Sequence, residues 1–224
     1  MSDPSYNYAM KSSRPLIIYI HGFNSSPASE KAQEFITYCQ SSVQQKQGLF
    51  ELSAPALSHD PEAAIAQLEA LIHDADKNLY LLVGSSLGGY YATYLAEKYQ
   101  CRAALINPAV SPVKHLGEGF LGRQKNLYTG EEYEFTREYG IYLDSLDINP
   151  LQHPENYLLL VQTGDEVLNY HLAVERYADS LQVVQKGGGH RFEGFKETIP
   201  AILEFAANGS LCAQTKKTIS TIKL

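Results

Sequence analysis

The sequence predicts an α/β fold in which a mostly parallel sheet of about six strands carries helices on both faces. Short apolar runs, such as Leu16–Ile20, alternate along the chain with longer segments whose apolar residues recur at helical spacing. The apolar runs are continuous, which is typical of parallel strands buried on both faces. The 224 residues, of which 44% are hydrophobic, are enough for one domain with a full core, which we place at residues 1–209.

The first half of the chain supplies four of the predicted strands, at residues 16–20, 50–55, 78–84 and 102–108. Helices are predicted between them at residues 25–43, 60–76 and 87–100. Ser26 is the predicted cap of the first helix, with Pro27 at its first position, and Asp60 and Pro61 have the same roles in the second. The third helix follows its strand directly.

The second half predicts two further strands, at residues 156–165 and 181–189, and two helices, at residues 168–180 and 195–209. Gly209 is placed to end the last helix. Two segments do not fit this alternation. Residues 111–150 are too long for an ordinary loop, so we expect a short lid there. Residues 210–224 follow the last helix, and we expect a C-terminal extension that is mobile or ordered only by a partner.

The composition argues against several classes of protein. A net charge of −7 does not suit a nucleic-acid binder, whose affinity would rest on clustered Lys and Arg. The longest apolar run is too short to span a bilayer, and the first 15 residues lack the features of a secretory signal. The cysteines, Cys39, Cys101 and Cys212, form no CxxC and no Cys/His metal pattern. We therefore expect reduced thiols in a cytoplasmic protein, with no structural metal and no cofactor.

One stretch has the pattern G-x-S-x-G, with Gly84, Ser86 and Gly88 as its fixed positions, between a predicted strand and a predicted helix. In a nucleophile elbow the serine sits on a strained turn, so that its hydroxyl stands clear above the sheet. The residues two before and two after that serine are crowded against the turn, and only very small side chains fit. Both are glycine for Ser86, whereas Ser85 has valine and leucine there. The spacing therefore predicts Ser86 as a nucleophile.

A serine hydroxyl needs a general base to act as a nucleophile. The seven histidines of the chain are His21, His59, His73, His115, His153, His171 and His190. In hydrolases with such an elbow the chain order is serine, acid, histidine, and His190 follows the last predicted strand in a Gly-rich segment that can fold over the sheet edge. His21 lies too early in the chain, and we expect it to hold its own loop by hydrogen bonds.

The acid should lie between Ser86 and His190 in the chain. Asp165 directly follows the fifth predicted strand, where its carboxylate can reach the far nitrogen of the imidazole. The weaker alternatives are Glu166, which is adjacent to Asp165, and Asp144 and Asp147 in the insertion.

An acyl-transfer site also needs hydrogen-bond donors for the oxyanion. The backbone N–H of Leu87, the residue after the candidate nucleophile, is the first predicted donor. The second should come from the loop after the first strand, which reads "HGFNSSP". Gly22 permits a twist that turns the N–H of Phe23, or that of Asn24, toward the site.

Six segments together resemble the YqiA-like esterase family of the α/β-hydrolase superfamily, over about residues 16–205. They read "YIHGFNSSPASEKA", "GSSLGGYYATYLAEKY", "NPAVSP", "YTGEEYEF", "TGDEVLNY" and "GGGHRFEGF". The resemblance implies a small α/β-hydrolase fold whose sheet lacks the two leading antiparallel strands of larger relatives. We then expect the strand order second, first, third, fourth, fifth, sixth. The lid-like insertion is short, which implies a shallow or open pocket.

The same resemblance implies a cytoplasmic serine hydrolase that acts on carboxylic esters or thioesters with short to medium acyl chains. Carried over by motif, Ser86 is the nucleophile, Asp165 the acid and His190 the base, while Phe23 and Leu87 donate to the oxyanion. Two alternatives stay open. One is a C–C bond hydrolase, lyase or peptidase on the same fold, and the other is a binding protein on an inactive scaffold. An apolar, tyrosine-lined slot would favour acyl esters, whereas clustered arginines would favour an anionic substrate.

Overall fold

The structure, a computed structural model, describes residues 14–41, 50–74, 78–116 and 121–220. Residues 1–13 and the last four residues lie outside these ranges, as do residues 117–120 of the predicted insertion and the predicted helix ends at 42–43 and 75–76. The strands are β1 (Leu16–Ile20), β2 (Glu51–Ser53), β3 (Leu79–Ser85), β4 (Arg102–Ile106), β5 (Gly122–Lys125), β6 (Glu132–Phe135), β7 (Tyr157–Gln162) and β8 (Leu181–Gln185).

The helices are α1 (Glu30–Ser41), α2 (Pro61–Asp74), α3 (Leu87–Tyr99), α4 (Pro112–Leu116), α5 (Arg137–Ser145), α6 (Tyr170–Arg176), α7 (Phe195–Asn208) and α8 (Ala213–Ser220). A short 3-10 turn, Pro154–Asn156, precedes β7. Six strands form one sheet in the order β2-β1-β3-β4-β7-β8, and every neighbouring pair is parallel. This confirms the predicted α/β class and strand order.

The sheet is buried on both faces, and successive residues of each strand pack into opposite layers. In β1, Ile18 and Ile20 belong to the core formed with α2 and α3, while Ile17 and Tyr19 belong to the core formed with α1 and α7. Alternate side chains of the strand point to opposite faces of the sheet, and both faces are covered by an apolar layer. The strand sequence is therefore apolar without interruption. The carboxyl ends of the strands meet at one edge, where loops carry the polar residues described below.

Helix α1 begins at Glu30, three residues after Pro27, which was its predicted first position. The Ser26 Oγ accepts the Ala28 N–H at 3.0 Å in a separate turn, so Ser26 does not cap α1, which starts at Glu30. A serine hydroxyl serves a tight turn as readily as a helix end, which explains the error.

The other two predicted helix boundaries are confirmed. Asp60 Oδ1 accepts the Glu62 N–H at 2.9 Å with Pro61 as the first residue of α2. Gly209 ends α7 with a left-handed φ of 69°, and its N–H donates to Phe205 O at 2.8 Å.

The described part of the insertion, residues 111–116 and 121–150, forms α4, an antiparallel hairpin of β5 and β6, and α5. The insertion is anchored in the core by buried side chains, among them Phe135 and Leu143. Its hairpin also binds the loop after β1, because Tyr133 Oη donates to Asn24 Oδ1 at 2.6 Å and the Leu127 N–H donates to Asn24 O at 3.0 Å. The insertion therefore covers one side of the carboxyl edge of the sheet.

The C-terminal segment differs from the expected mobile extension. Residues 213–220 form α8, which packs on α7 and β8 with Ile219 only 1% exposed. The Gln185 side chain donates to Ile219 O at 2.8 Å, and Glu204 accepts from the Thr215 hydroxyl. One apolar residue and a few polar contacts dock this helix, which is too weak a pattern to recognise in sequence.

Within the described part of the chain, no helix combines the length and the hydropathy needed to cross a bilayer. The same ranges contain no group of three or more His, Cys, Asp or Glu side chains placed to hold a metal ion.

Candidate active site

The turn from β3 into α3 holds Ser86 in a backbone conformation that serine rarely adopts. Its φ of 56° lies in the left-handed region, which is strained for residues with a Cβ atom. The Ser86 N–H donates to Ile106 O at 3.1 Å. The Ser86 O accepts from Gly89 N at 2.9 Å and from Ala109 N at 3.0 Å. Backbone hydrogen bonds to two neighbouring segments thus hold the strained turn.

Gly84 and Gly88 are crowded against this turn. A Cβ atom on Gly84 would lie 2.3 Å from the carbonyl oxygen of Gly88, and one on Gly88 would lie 2.1 Å from that of Ile20. Backbone atoms cannot yield to such contacts, so only glycine fits at either position. Ser85 is buried beneath the turn. Ser86 is partly exposed, so its hydroxyl is the more accessible of the two.

Three predicted side chains meet above the carboxyl edge of the sheet. The Ser86 Oγ lies 3.1 Å from His190 Nε2. On the other side of the ring, His190 Nδ1 lies 2.9 Å from Asp165 Oδ2 and 3.1 Å from Oδ1. Ser86 follows β3, Asp165 follows β7 and His190 follows β8, so residues far apart in sequence form one hydrogen-bonded chain.

The Asp165 carboxylate is held in its ionised form. Burial works to raise its pKa, but the hydrogen bonds from His190 and from two backbone N–H groups outweigh burial, and the pKa falls below its usual value. Those N–H groups belong to Val167 and Leu168, at 2.9 Å and 2.8 Å from Oδ1. The ionised Asp165 carboxylate accepts a hydrogen bond from the N–H at His190 Nδ1, which leaves Nε2 as an acceptor facing Ser86.

The loop that carries His190 is held by Gln162, a residue that the sequence analysis did not single out. Gln162 is 0% exposed at the end of β7. Its Oε1 accepts from Gly189 N at 3.0 Å and from Glu193 N at 2.9 Å, and its Nε2 donates to Glu193 O at 2.7 Å and to Gln185 Oε1 at 2.8 Å. A glutamine in an otherwise apolar buried strand was the available signal, because buried polar groups need partners.

Two further side chains bind the backbone of His190. The Asn107 Nδ2 donates to Gly189 O at 3.0 Å and to His190 O at 3.3 Å. Glu166, the adjacent alternative for the acid, accepts the His190 N–H at 2.9 Å. Glu166 thus contacts the backbone of His190, while the imidazole contacts Asp165.

The weaker acid candidates lie in the insertion and have other partners. Asp147 accepts from Ser111 Oγ at 2.6 Å and pairs with Arg176 at 2.6 Å. Asp144 is exposed near the end of α5. Neither Asp144 nor Asp147 is hydrogen-bonded to the His190 ring, whose partners within the described residues are Ser86 and Asp165.

The loop after β1 passes directly against Ser86. A Cβ atom on Gly22 would lie 3.1 Å from Ser86 Cβ and 3.6 Å from Ser86 Oγ, so the absence of a side chain allows this approach. His21 is buried, with Nδ1 3.0 Å from Gly22 O and Nε2 accepting the Leu57 N–H at 3.2 Å. Burial lowers the pKa of His21, which favours a neutral ring that ties two loops together.

The two predicted oxyanion donors belong to two segments that meet at Ser86. Leu87 is the first residue of α3, where backbone N–H groups have no partner within the helix. Phe23 follows Gly22, and its ring packs edge-on against Phe135 with the centroids 5.5 Å apart. The core of the insertion thereby holds the loop beside the serine.

A cleft of about 210 Å³ opens over the serine. Its lining includes Ser86, His190, Tyr128, Lys31 and Arg191. A smaller recess of about 40 Å³ lies beside it, with apolar and tyrosine side chains among its walls: Phe23, Leu57, Leu87, Tyr91 and Tyr133. The site therefore combines a cationic region with a small aromatic recess.

Lys31 is the second functional candidate that sequence reasoning missed. Its Nζ donates to His190 O at 3.3 Å. Burial lowers the pKa of Lys31 to about 8, with Asp165 acting to raise it and Arg191 to lower it. A lysine in the first turn of a surface helix looks ordinary in sequence, and only the fold brings it to the cleft.

A six-stranded parallel sheet, with a serine on a strained turn between its third strand and the next helix, defines the α/β-hydrolase fold. Residues 16–207 match the uncharacterised protein family UPF0227, and the chain belongs to that family. This membership confirms the resemblance to YqiA-like proteins.

Curated UPF0227 proteins are distant relatives of this chain. One from Pectobacterium carotovorum is 27% identical over 46% of this chain and 55% of its own length. One from Serratia proteamaculans is 22% identical over 85% of this chain and 98% of its own length. The chain thus spans about half the length of the first relative and nearly all of the second.

Solved structures support the fold. A protein from Agrobacterium vitis that carries a provisional hydrolase designation aligns with a TM-score of 0.66 at 18% identity, covering 88% of this chain and 89% of that one. Mouse alpha/beta hydrolase domain-containing protein 10 has a TM-score of 0.65 at 16% identity, covering 90% and 93%. The esterase domain of a Rhodothermus marinus protein has a TM-score of 0.57 at 17% identity, covering 89% and 88%.

Proposed function

We propose that the protein is a serine hydrolase that cleaves carboxylic esters or thioesters with short to medium acyl chains through an acyl-enzyme. The observation that carries the proposal is the continuous hydrogen-bonded chain from Ser86 Oγ through His190 to Asp165, on a strained turn that opens into a cleft. An aligned chain of this kind supports an enzyme rather than a binding protein on the same fold. A cytoplasmic location, which the free cysteines favour, is part of the proposal.

In the first half-reaction the Ser86 Oγ attacks the acyl carbonyl carbon, and its proton passes to His190 Nε2. The Asp165 carboxylate keeps the ring in the required tautomer and stabilises the imidazolium that forms. The 3.1 Å separation of Oγ and Nε2 is within the range for this transfer. The tetrahedral intermediate then collapses. Its bond to the alcohol or thiol breaks, and that group leaves with the proton from His190.

The oxyanion of the tetrahedral intermediate needs donors on the side of Ser86 opposite to His190. We assign the backbone N–H groups of Leu87 and Phe23 to this role, because the first begins α3 and the second lies in the loop that touches Ser86. Each such donor contributes on the order of 3 kcal/mol of transition-state stabilisation. The N–H of Asn24 is the alternative for the second donor.

In the second half-reaction water attacks the acyl-enzyme and gives its proton to His190. The bond to Ser86 breaks, the serine recovers its proton from His190, and the carboxylic acid leaves. The small aromatic recess of about 40 Å³ beside Leu87 suits a short acyl group, and the open cleft of about 210 Å³ can hold a longer one. The tyrosines in both spaces favour acyl esters.

The experiment that tests this proposal is hydrolysis of p-nitrophenyl esters from acetate to octanoate. Ser86→Ala is expected to lower kcat by at least about 10³-fold across the series. Ser85→Ala is the matched control, because it removes a neighbouring hydroxyl that is buried beneath the turn, and it should keep most of the activity. The proposal fails if the wild-type protein is inactive on the whole series, or if Ser86→Ala retains the wild-type rate.

A further inference from the structure

Two cations line the cleft on the side of His190. Lys31 lies in the first turn of α1, and its Nζ donates to His190 O. Arg191 follows His190 in the chain, and its side chain is exposed at the cleft. Arg191 acts to lower the pKa of Lys31, as expected for two cations held close together.

Neither cation has a carboxylate partner in the described ranges. No ion pair among the described residues includes Lys31 or Arg191. By contrast, Arg176 pairs with Asp147 at 2.6 Å, and Lys98 pairs with Glu69. A half-buried, unpaired ammonium beside a second cation is unfavourable, and an anion brought by a ligand would relieve it.

The position of the cations relative to His190 identifies which part of a substrate they would touch. His190 Nε2 must deliver a proton to the leaving group, so the alcohol or thiol part of the substrate has to lie on the His190 side of the cleft. The recess at Phe23 and Leu87 lies on the oxyanion side and suits the acyl part. Lys31 and Arg191 therefore face the leaving group.

We propose that the hydrolase selects esters or thioesters whose leaving group carries a carboxylate or phosphate, and that Lys31 and Arg191 bind that anion. This inference rests on the proposed function and specifies its substrate class. Glu30, which also lines the cleft, is the acid that opposes such a ligand. Glu30 forms no ion pair with Lys31 or Arg191 in the described residues, although its charge acts to raise the pKa of Lys31. Removing the negative charge of Glu30 should therefore strengthen the preference for substrates with an anionic leaving group.

The test compares substrates that differ in one charge. We would measure kcat/KM for 3-(4-acetoxyphenyl)propionate and for its uncharged amide. Because methylene groups separate the carboxylate or amide from the ring, the phenol is nearly equally good as a leaving group in both. The acetate ester of 2-(4-hydroxyphenyl)ethyl phosphate extends the series from carboxylate to phosphate. Wild-type enzyme should prefer the anionic ester about tenfold or more. A second pair, phenyl hydrogen succinate and phenyl succinamate, carries the carboxylate or the neutral amide on the acyl part instead. The enzyme should not prefer the anionic member of this pair.

Four variants assign the preference to the cleft. Lys31→Gln and Arg191→Gln should each lower the anionic-to-neutral ratio, and Lys31→Arg should retain it. Glu30→Gln should raise the ratio. Lys98→Gln is the matched control, since it removes one exposed positive charge from α3, away from the cleft, and the ratio should not change. An unchanged ratio in the double variant of Lys31 and Arg191 overturns the proposal.

The pH dependence of the ratio gives a readout that a purely structural role of Lys31 would not move. The charged groups that act on Lys31 are Asp165, Arg191, Glu30 and Glu34, and burial brings its pKa to about 8. The ammonium is charged below that value and neutral above it. The anionic preference should therefore be full at pH 6.5 and decline as the pH rises through about 8. A ratio that stays constant to pH 9.5 contradicts the role of Lys31.

Binding to Ser86→Ala protein separates this inference from the proposed function, because it requires no reaction. Calorimetry with the uncleaved anionic ester and its amide should show about tenfold tighter binding of the anion, and the difference should disappear with Lys31→Gln in the same background. If the anion binds selectively but wild-type protein cleaves neither ester, the proposed function fails and the cation site stands. If both esters are cleaved and bound alike, the anion site fails and the hydrolase stands.

Discussion

Replacing Gln162 with leucine should disconnect the loop that carries His190. The side chain makes four hydrogen bonds, to Gly189 N, to the N and O of Glu193, and to Gln185 Oε1. At about 1 kcal/mol each, their loss predicts a destabilisation of about 4 kcal/mol, a large part of a typical total of about 5–15 kcal/mol. Leucine has a similar volume, so the effect reports lost hydrogen bonds rather than a cavity.

Urea unfolding followed by circular dichroism measures this loss, and ester hydrolysis well below the unfolding transition measures its effect on the site. We expect kcat to fall because the His190 backbone is no longer held against Ser86 and Asp165. Gln182→Leu is the matched control on β8. Gln182 donates to carbonyls of α6 and the residue after it, away from the cleft, so its loss should cost stability with little change in kcat. A Gln162→Leu protein with unchanged stability and kcat would refute the reasoning.

Three further changes test the positions of individual groups. Asp165→Asn should lower kcat by about 10³–10⁴-fold at near-native stability, because an amide N–H facing His190 Nδ1 favours the wrong tautomer; a loss below tenfold contradicts this. Gly88→Ala should lower the free energy of unfolding by about 1–3 kcal/mol or more, measured by thermal unfolding, and should abolish hydrolysis. Gly140→Ala is the control and should be tolerated, because no atom lies within 4 Å of the added Cβ. Tyr133→Phe removes the hydrogen bond to Asn24 and should lower the free energy of unfolding by about 1 kcal/mol. A urea unfolding curve identical to that of the wild type would show that this hydrogen bond does not stabilise the fold.

The positions that could be inferred from sequence depend on local sterics or on chain order, while the catalytic roles of those residues stay predictions. Gly84 and Gly88 flank Ser86 because a Cβ atom is excluded at both positions, at Gly84 by the turn itself and at Gly88 by the backbone of β1. Asp165 and His190 could be selected because parallel strands bring their carboxyl ends to one edge. The strand order followed from the family resemblance, whereas the alternation of strands and helices predicted only a parallel sheet.

The features that sequence missed depend on contacts between distant segments. Gln162 matters because the His190 loop folds back over β7, and Lys31 matters because α1 begins beside that loop. The glutamine at the end of the apolar strand β7 signals a buried polar group, but only the fold shows which loop it binds. Lys31 leaves no local pattern in the sequence. Ser26 was wrongly predicted as a helix cap. Its hydroxyl accepts a hydrogen bond within a separate turn before α1, and serine favours such turns as well as helix ends. Helix α8 depends on docking of Ile219 rather than on its own periodicity.

The central claim is that Ser86, and no other residue, is the nucleophile of an acyl-enzyme. Labelling the native protein with a fluorophosphonate and mapping the adduct by peptide mass spectrometry tests it most directly. The account predicts one adduct per chain, on Ser86, which is lost in Ser86→Ala, retained in Ser85→Ala and strongly slowed in His190→Ala. Absence of labelling, or an adduct on Ser85 or any other residue, would contradict it.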